Sequence, residues 1–365
     1  MTVSWPAKPV RRVFRAQTRE VSGPKAPRQG EESSDARRLR SRAERDEQAS
    51  GATGVAASVV LSELFSGRRR AARVCGISGP ACYLDAGGWI VVIEGPGGAG
   101  LPDAVRVAHQ ARPPLQLAMD DEVVFGRGVL TAGGRDLPVQ RWWDPVVRIG
   151  SSRLDAAGVA VVTAMLRSAA RGSIVDPGPT VAPDTTDLAD ALRRRDAADL
   201  AAAAAALLGH GAGLTPAGDD VLTGTLATLR VLGPSCSPAV ARRAKTAADA
   251  IAGVVARVAH ERTTALSAQL LRHADRGAVA LPVADVLRAV AGRGELVGAA
   301  ARLAGMGHSS GSDVLTGMAL AVDTMLPEAE GEGERQRAGG RGSQGEGERQ
   351  RAGERDLKAR TRDLK

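Results

Sequence analysis

The chain has 365 residues, 43% hydrophobic and only 2% aromatic, so a core of Ala, Val and Leu is expected, large enough for one big or two modest domains. The formal net charge of +8 suggests nucleic acid, but its distribution does not: residues 1–50 carry a net +5, residues 327–365 a net +1, and about +2 remains between them. Basic residues in that middle part are scattered and the few aromatics form no stacking platform, which excludes nucleic acid as a partner of the folded part.

Residues 1–50 mix Arg, Glu, Ser, Gly and Pro with little apolar content and are expected to be a disordered basic arm. From 51 to 150 the sequence consists of short apolar runs, at 71–77, 81–85, 89–94, 122–125 and 137–141, broken by Gly and Pro. These lengths suit antiparallel strands in a small barrel or sandwich. Residues 55–65 fit a helix or a strand equally. Trp142 and Trp143 close this half, as a seal on the barrel or on a domain seam.

From 151 to 326 the periodicity becomes helical. Residues 154–171 place Leu154, Val161, Val162, Met165 and Leu166 on one face. Further helices are expected at 184–208, after Asp220 as far as Gly233-Pro234, and at 238–260, 263–276, 282–290 and 295–304. A last helix follows Asp313. Residues 327–365 contain a nine-residue duplication (331–339 and 345–353) and a repeated Arg-Asp-Leu-Lys, a low-complexity tail expected to be disordered. The fold class is therefore α+β: a β-rich N-terminal subdomain, then a helical subdomain that carries the site.

Cys75, Cys82 and Cys236 give an odd count and no disulfide framework. Cys75 and Cys82 fit strand packing better than metal ligation, since no second pair completes a zinc site. With no apolar leader and no uncharged run long enough to span a bilayer, a cytoplasmic protein without membrane association is expected.

The most informative stretch is 209–224, Gly-His-Gly-Ala-Gly-Leu-Thr-Pro-Ala-Gly-Asp-Asp-Val-Leu-Thr-Gly. Thr215 and Pro216 fit an N-cap and first helical residue, which places Asp219 and Asp220 in the first turn, where the helix dipole favours carboxylates. The last seven residues recur as Gly-Ser-Asp-Val-Leu-Thr-Gly at 311–317, six of seven identical. His210 precedes the first copy and His308 the second. For a single copy the acids would be ordinary helix-start residues; the recurrence favours two similar loop-to-helix units facing one site. Gly224 and Gly317 fall four residues after Asp220 and Asp313, on the same helix faces.

Chemically, Gly211, Gly213, Gly218 and Gly311 allow close approach of a ligand to backbone N–H groups at a helix start, a favourable place for an anion. Thr215, Ser309 and Ser310 add hydroxyls. Asp219, Asp220 and Asp313 can accept from amide or ammonium N–H groups, or hold Mg²⁺, the one cofactor this set suggests. Arg262 and Thr263 lie at a helix boundary between the two loops, positioned to clamp a carboxylate or to cap a helix. No His-x-x-x-His or similar pair supports a transition-metal site, and none is assigned. The expected catalytic residues are Asp220, Asp313 and His308, and a loop histidine is otherwise most often structural.

Three segments carry a resemblance: Gly-Ala-Gly-Leu-Thr-Pro-Ala-Gly-Asp-Asp at 211–220, Arg-Thr-Thr-Ala-Leu-Ser at 262–267, and Gly-His-Ser-Ser-Gly-Ser-Asp at 307–313. In these the chain resembles the AllH-type family, long catalogued as a domain of unknown function. The likeness spans roughly residues 55–326 and is loose in the β-rich half. The family's named member is a subunit of a carbamoyltransferase of anaerobic allantoin breakdown, working with two partner subunits. The resemblance implies that a complex converts oxalurate and phosphate to oxamate and carbamoyl phosphate. Expected ligands are then small anions (phosphate, carbamoyl phosphate or an oxalurate-like molecule), with partner subunits in a hetero-complex. The alternative is a non-catalytic anion-binding or assembly subunit.

Overall fold

The structure, a computed structural model, describes residues 54–108, 114–150, 156–172 and 183–325. Both tails expected to be disordered, 1–50 and 327–365, lie outside these residues.

The N-terminal half is a closed eight-stranded barrel. Its strands are β1 (Val55–Ser58), β2 (Arg70–Ser78), β3 (Ala81–Asp85), β4 (Ile90–Glu94), β5 (Ala104–Arg106), β6 (Glu122–Gly126), β7 (Val129–Ala132) and β8 (Arg135–Trp143). They run around the barrel in the order β1-β5-β4-β3-β2-β6-β7-β8. The expected all-antiparallel sheet needs correction, because β4–β5 and the closing pair β1–β8 are parallel. A parallel neighbour requires a crossover. Between β4 and β5 that crossover is fixed by buried Glu94, whose carboxylate accepts from the N–H groups of Gly100 (2.7 Å) and Leu101 (3.1 Å). The ambiguous run at 55–65 resolves into both structures: β1, a 3₁₀ turn, and a short helix α1 (Ser62–Ser66) plugging the barrel with Leu64 and Phe65. Strands β5 and β7, three and four residues long, were not among the runs picked out from the sequence.

All of β4 is buried, because it is covered on both faces. Val91 and Ile93 fill the barrel, while Ile90 and Val92 pack outward with Leu266. Leu266 belongs to α7 (Ala265–Ala274), and burying a leucine there contributes about 2 kcal/mol. Gln269, on the same helix, clasps the Ile90 backbone, accepting from its N–H (3.0 Å) and donating to its carbonyl (2.6 Å). Trp143 joins the outer cluster that meets Leu266, whereas Trp142 packs edge-on against Phe65 and stays 44% exposed.

The other helices are α2 (Ala156–Gly172), α3 (Thr186–Arg194), α4 (Ala197–Leu207), α5 (Ala217–Leu232), α6 (Pro238–Arg262), α8 (Leu281–Val290), α9 (Leu296–Ala304) and α10 (Ser310–Asp323). The single helix expected at 184–208 is two, because Arg195 takes a left-handed conformation (φ 62°) and Asp196 caps a fresh start through Ala198 and Asp199. On α2 the buried side chains are Val159, Thr163, Leu166 and Ala170. Of the expected face Leu166 is buried, Val162 and Met165 are half-buried, Val161 is 58% exposed, and Leu154 lies outside the described residues. No helix among the described residues is long and apolar enough to cross a membrane.

Candidate site at the paired helix starts

Helices α5 and α10, which begin with the two copies of the repeated motif, pack face to face. Glycine is required where they cross: a side chain at Gly224 would run into the Val314 carbonyl, and one at Gly317 into that of Val221. Val221 and Val314 are themselves equivalent positions of the two copies, so the contact is reciprocal. The Thr225 hydroxyl spans the crossing, 2.9 Å from Val221 O and 3.2 Å from Gly317 O. One turn N-terminal to the glycines stand Asp220 and Asp313, and still earlier in the chain the two loops touch. There the hydroxyls of Thr215 and Ser310, 95 positions apart, lie 2.9 Å from each other.

The cap is displaced by one residue from expectation. Pro216 is the N-cap and Ala217 the first helical residue. The Thr215 side chain does not cap the helix, and instead reaches the other loop.

The neighbouring acids Asp219 and Asp220 face different surroundings, as successive helical residues about 100° apart must. Asp219 is a latch. Its Oδ1 accepts from Gly209 N (2.7 Å) and its Oδ2 from the Thr263 hydroxyl, which ties the glycine loop and the end of α6 to the start of α5. Burial pushes its carboxyl above the ordinary range, and these two donors oppose the push. Thr264 completes the clasp, donating to Leu214 O (2.7 Å) while capping α7 through Ser267 N.

Asp220 and Asp313 are different. Each is buried, and in each Oδ2 has no hydrogen-bond partner. Burial raises Asp220 well above the usual carboxylate value; the Ser310 and Thr215 hydroxyls oppose this, and the charges of Asp313 and Asp219 add to it. Burial pushes Asp313 up to about 6, against the Ser309 hydroxyl. A helix start favours a carboxylate by only about 0.3–1 kcal/mol. Enclosing a carboxylate without a counter-charge costs roughly several kcal/mol, so burial wins over the dipole.

The remaining expected residues form a rim. His210, Gly211, Gly213 and His308 are exposed, and Thr215, Ser309 and Ser310 are half-buried. Gly213 faces open space, while Gly218 and Gly311 are packing positions whose missing side chains admit the Leu207 and Leu303 carbonyls. Arg262 is turned away from the acids and donates to Ala205 O (3.4 Å). Among the described residues no hydrogen bond ties the His308 ring to either unpartnered acid. The anion cradle expected at the helix starts is largely occupied by the chain itself. Gly218 N donates to His210 O, Asp219 N and Asp220 N to Pro216 O, and in the second copy Gly311 N donates to Met306 O and Asp313 N to Ser309 O.

Residues 207–322 match the family model described as oxamate carbamoyltransferase subunit AllH. This region is of the AllH type. No curated protein and no solved structure matches the chain. The AllH-type region starts at the last residue of α4 and ends inside α10, so it contains both motif copies and the Asp219 latch, while the barrel lies outside it. That is narrower than the span of 55–326 expected from the resemblance.

Sequence reasoning missed a buried polar pair where the helices meet the barrel. His273 Nε2 lies 2.8 Å from Asp103 Oδ1, and Trp89 stands edge-on to the imidazole at 5.8 Å. The partners are 170 residues apart, so no local pattern announces them. Among the described residues no group of three or more His, Cys, Asp or Glu is placed to hold a metal ion.

Proposed function

We propose that the paired starts of α5 and α10 form the substrate site of a carbamoyl-transferring subunit. In this reading it works with partner subunits on oxalurate and phosphate, or on a related amide-bearing acid. The observation that carries the reading is the pair of enclosed, unpartnered carboxyl oxygens of Asp220 and Asp313, set under an exposed glycine loop within the AllH-type region. An amide or carbamoyl group supplies the hydrogen-bonding partners that such oxygens lack. Asp220 and Asp313 would hold and orient the reacting amide or carbamoyl group, and Thr215, Ser309 and Ser310 would present hydroxyls around it. Gly211 and Gly213 would let the anionic end approach backbone, with His308 at the rim. The chemistry would be positioning and electrostatics, without a covalent nucleophile. Asp219 and Thr263 would act by holding the loop, and Gly218 and Gly311 by packing. Only if both acids were ionised would they and the hydroxyls form a hard oxygen set able to hold Mg²⁺ together with a substrate phosphate.

One observation favours the second reading, a subunit that holds ligand while chemistry lies elsewhere. No cationic side chain is among the groups that shift Asp220 or Asp313, and Arg262 is engaged at Ala205. A phosphate dianion would then need a partner subunit to supply positive charge.

The test is phosphate-dependent carbamoyl transfer by the full chain reconstituted with the products of neighbouring genes. Turnover that falls at least about a hundredfold in Asp220→Ala and Asp313→Ala supports the catalytic reading. Turnover unchanged in both variants removes these residues from the reaction.

A further inference from the structure

We propose, building on that reading, that a single proton serves the acid pair, with Asp220 an un-ionised carboxylic acid and Asp313 its ionised neighbour. The site then donates one hydrogen bond, to a carbonyl oxygen, and accepts one, from an N–H. This is the complement of a planar amide or ureido group.

The argument starts from enclosure. The Gly224–Gly317 crossing brings the two helix starts together, and both Oδ2 atoms are buried without a partner at residues only 6% and 9% exposed. The charged and titratable groups around them are few. Asp219 faces the pair from α5 with both oxygens occupied, Arg262 at the end of α6 points to Ala205, and His210 and His308 are exposed in the loops. Two enclosed like charges without a counter-ion do not both persist; one takes a proton. Asp220 is the more enclosed, and Asp313 and Asp219 both oppose its charge, so the proton belongs there. The hydroxyls of Thr215 and Ser310, which touch each other, orient the Asp220 carboxyl; they favour its ionised form, and burial outweighs them. An ionised pair would instead demand a cation and would select an ammonium or a metal ion over a neutral amide.

The experiment is infrared spectroscopy of the full chain with isotope-labelled aspartate at pH 7, without substrate. Labelling aspartate removes the signal of buried Glu94, whose carboxyl is also pushed up by burial. The expected result is a carbonyl stretch of an un-ionised carboxyl that disappears in Asp220→Asn and survives in Asp313→Asn. In parallel, oxamate serves as an amide-bearing probe in thermal-shift titrations. Asp220→Asn, which keeps a neutral donor and acceptor, should bind oxamate within about twofold of wild type, while Asp313→Asn should bind about tenfold more weakly, the loss of one charge-assisted hydrogen bond. Absence of the band in wild type overturns the shared proton, and this also decides the matter should a variant fail to fold. Stabilisation of wild type by Mg²⁺ alone, lost in Asp220→Asn, overturns it as well and assigns a cation site. A band with the expected mutant pattern but no response to oxamate leaves the proton in place and sinks the carbamoyl reading, so the two failures are distinguishable.

Discussion

The two copies of one motif have diverged in what they ask of the same positions. In the first, Asp219 anchors a long glycine loop through Gly209 and Thr263. In the second, Ser312 occupies the equivalent position and the loop from α9 to α10 is only five residues, 305–309, so a latch of that kind has nothing to hold. What both copies keep is the crossing glycine and the buried acid one turn before it. The lesson is that the shared residues build the meeting point of the helices, and the differing ones tune the loops.

The largest effect should come from the shared glycines. Gly224→Ala and Gly317→Ala each drive a methyl into backbone, which cannot swing aside as a side chain can. Each should cost about 3 kcal/mol in urea unfolding, at the upper end of overpacking penalties. A cost in only one of the two would break the reciprocity of the crossing.

Next is the latch, where the copies should differ. Thr263→Val strips the hydroxyl from a buried carboxylate and should cost about 2 kcal/mol. Ser312→Ala, at the position matching Asp219, should stay within about 0.5 kcal/mol. Equal losses in the same unfolding assay would mean that the divergence has no mechanical meaning.

The smallest effect is electrostatic and pH-dependent. The folded value of Asp313, about 6, lies above its ordinary 3.8, so the folded state prefers the protonated form. Its ionisation therefore costs stability as pH rises from about 4 to about 6, and the cost is complete above that. Asp313→Asn should raise stability at pH 7 by on the order of 1 kcal/mol after solvent screening, and flatten the pH dependence of Tm across that window. A variant that is less stable at pH 7 but unchanged at pH 4 would reverse the sign and contradict burial as the cause.

Much of this was legible from the residues. Short apolar runs between Gly and Pro gave most of the barrel strands, and the recurrence at 218–224 and 311–317 pointed to two units with one purpose. What the sequence hid has physical reasons. The three-residue β5 is too short to show alternation, and its parallel neighbour depends on Glu94 holding a distant loop. Arg195 is in a conformation that nothing in an alanine-rich run foretells. The different fates of Asp219 and Asp220 follow from which way each turns, and that depends on Thr263 and Ser310, each more than forty residues away. The Asp103–His273 pair is a purely tertiary contact.

The most direct test of the convergence of the two loops is a disulfide placed where Thr215 and Ser310 now touch. Thr215→Cys with Ser310→Cys puts two thiols at hydroxyl positions 2.9 Å apart, within reach of a bond after small adjustment. The expected result is quantitative crosslinking under mild oxidation, with the joined peptides identified by mass spectrometry and distinguished from those of Cys75, Cys82 and Cys236. Two free thiols in a folded double variant after the same oxidation would contradict a shared site for the two loops.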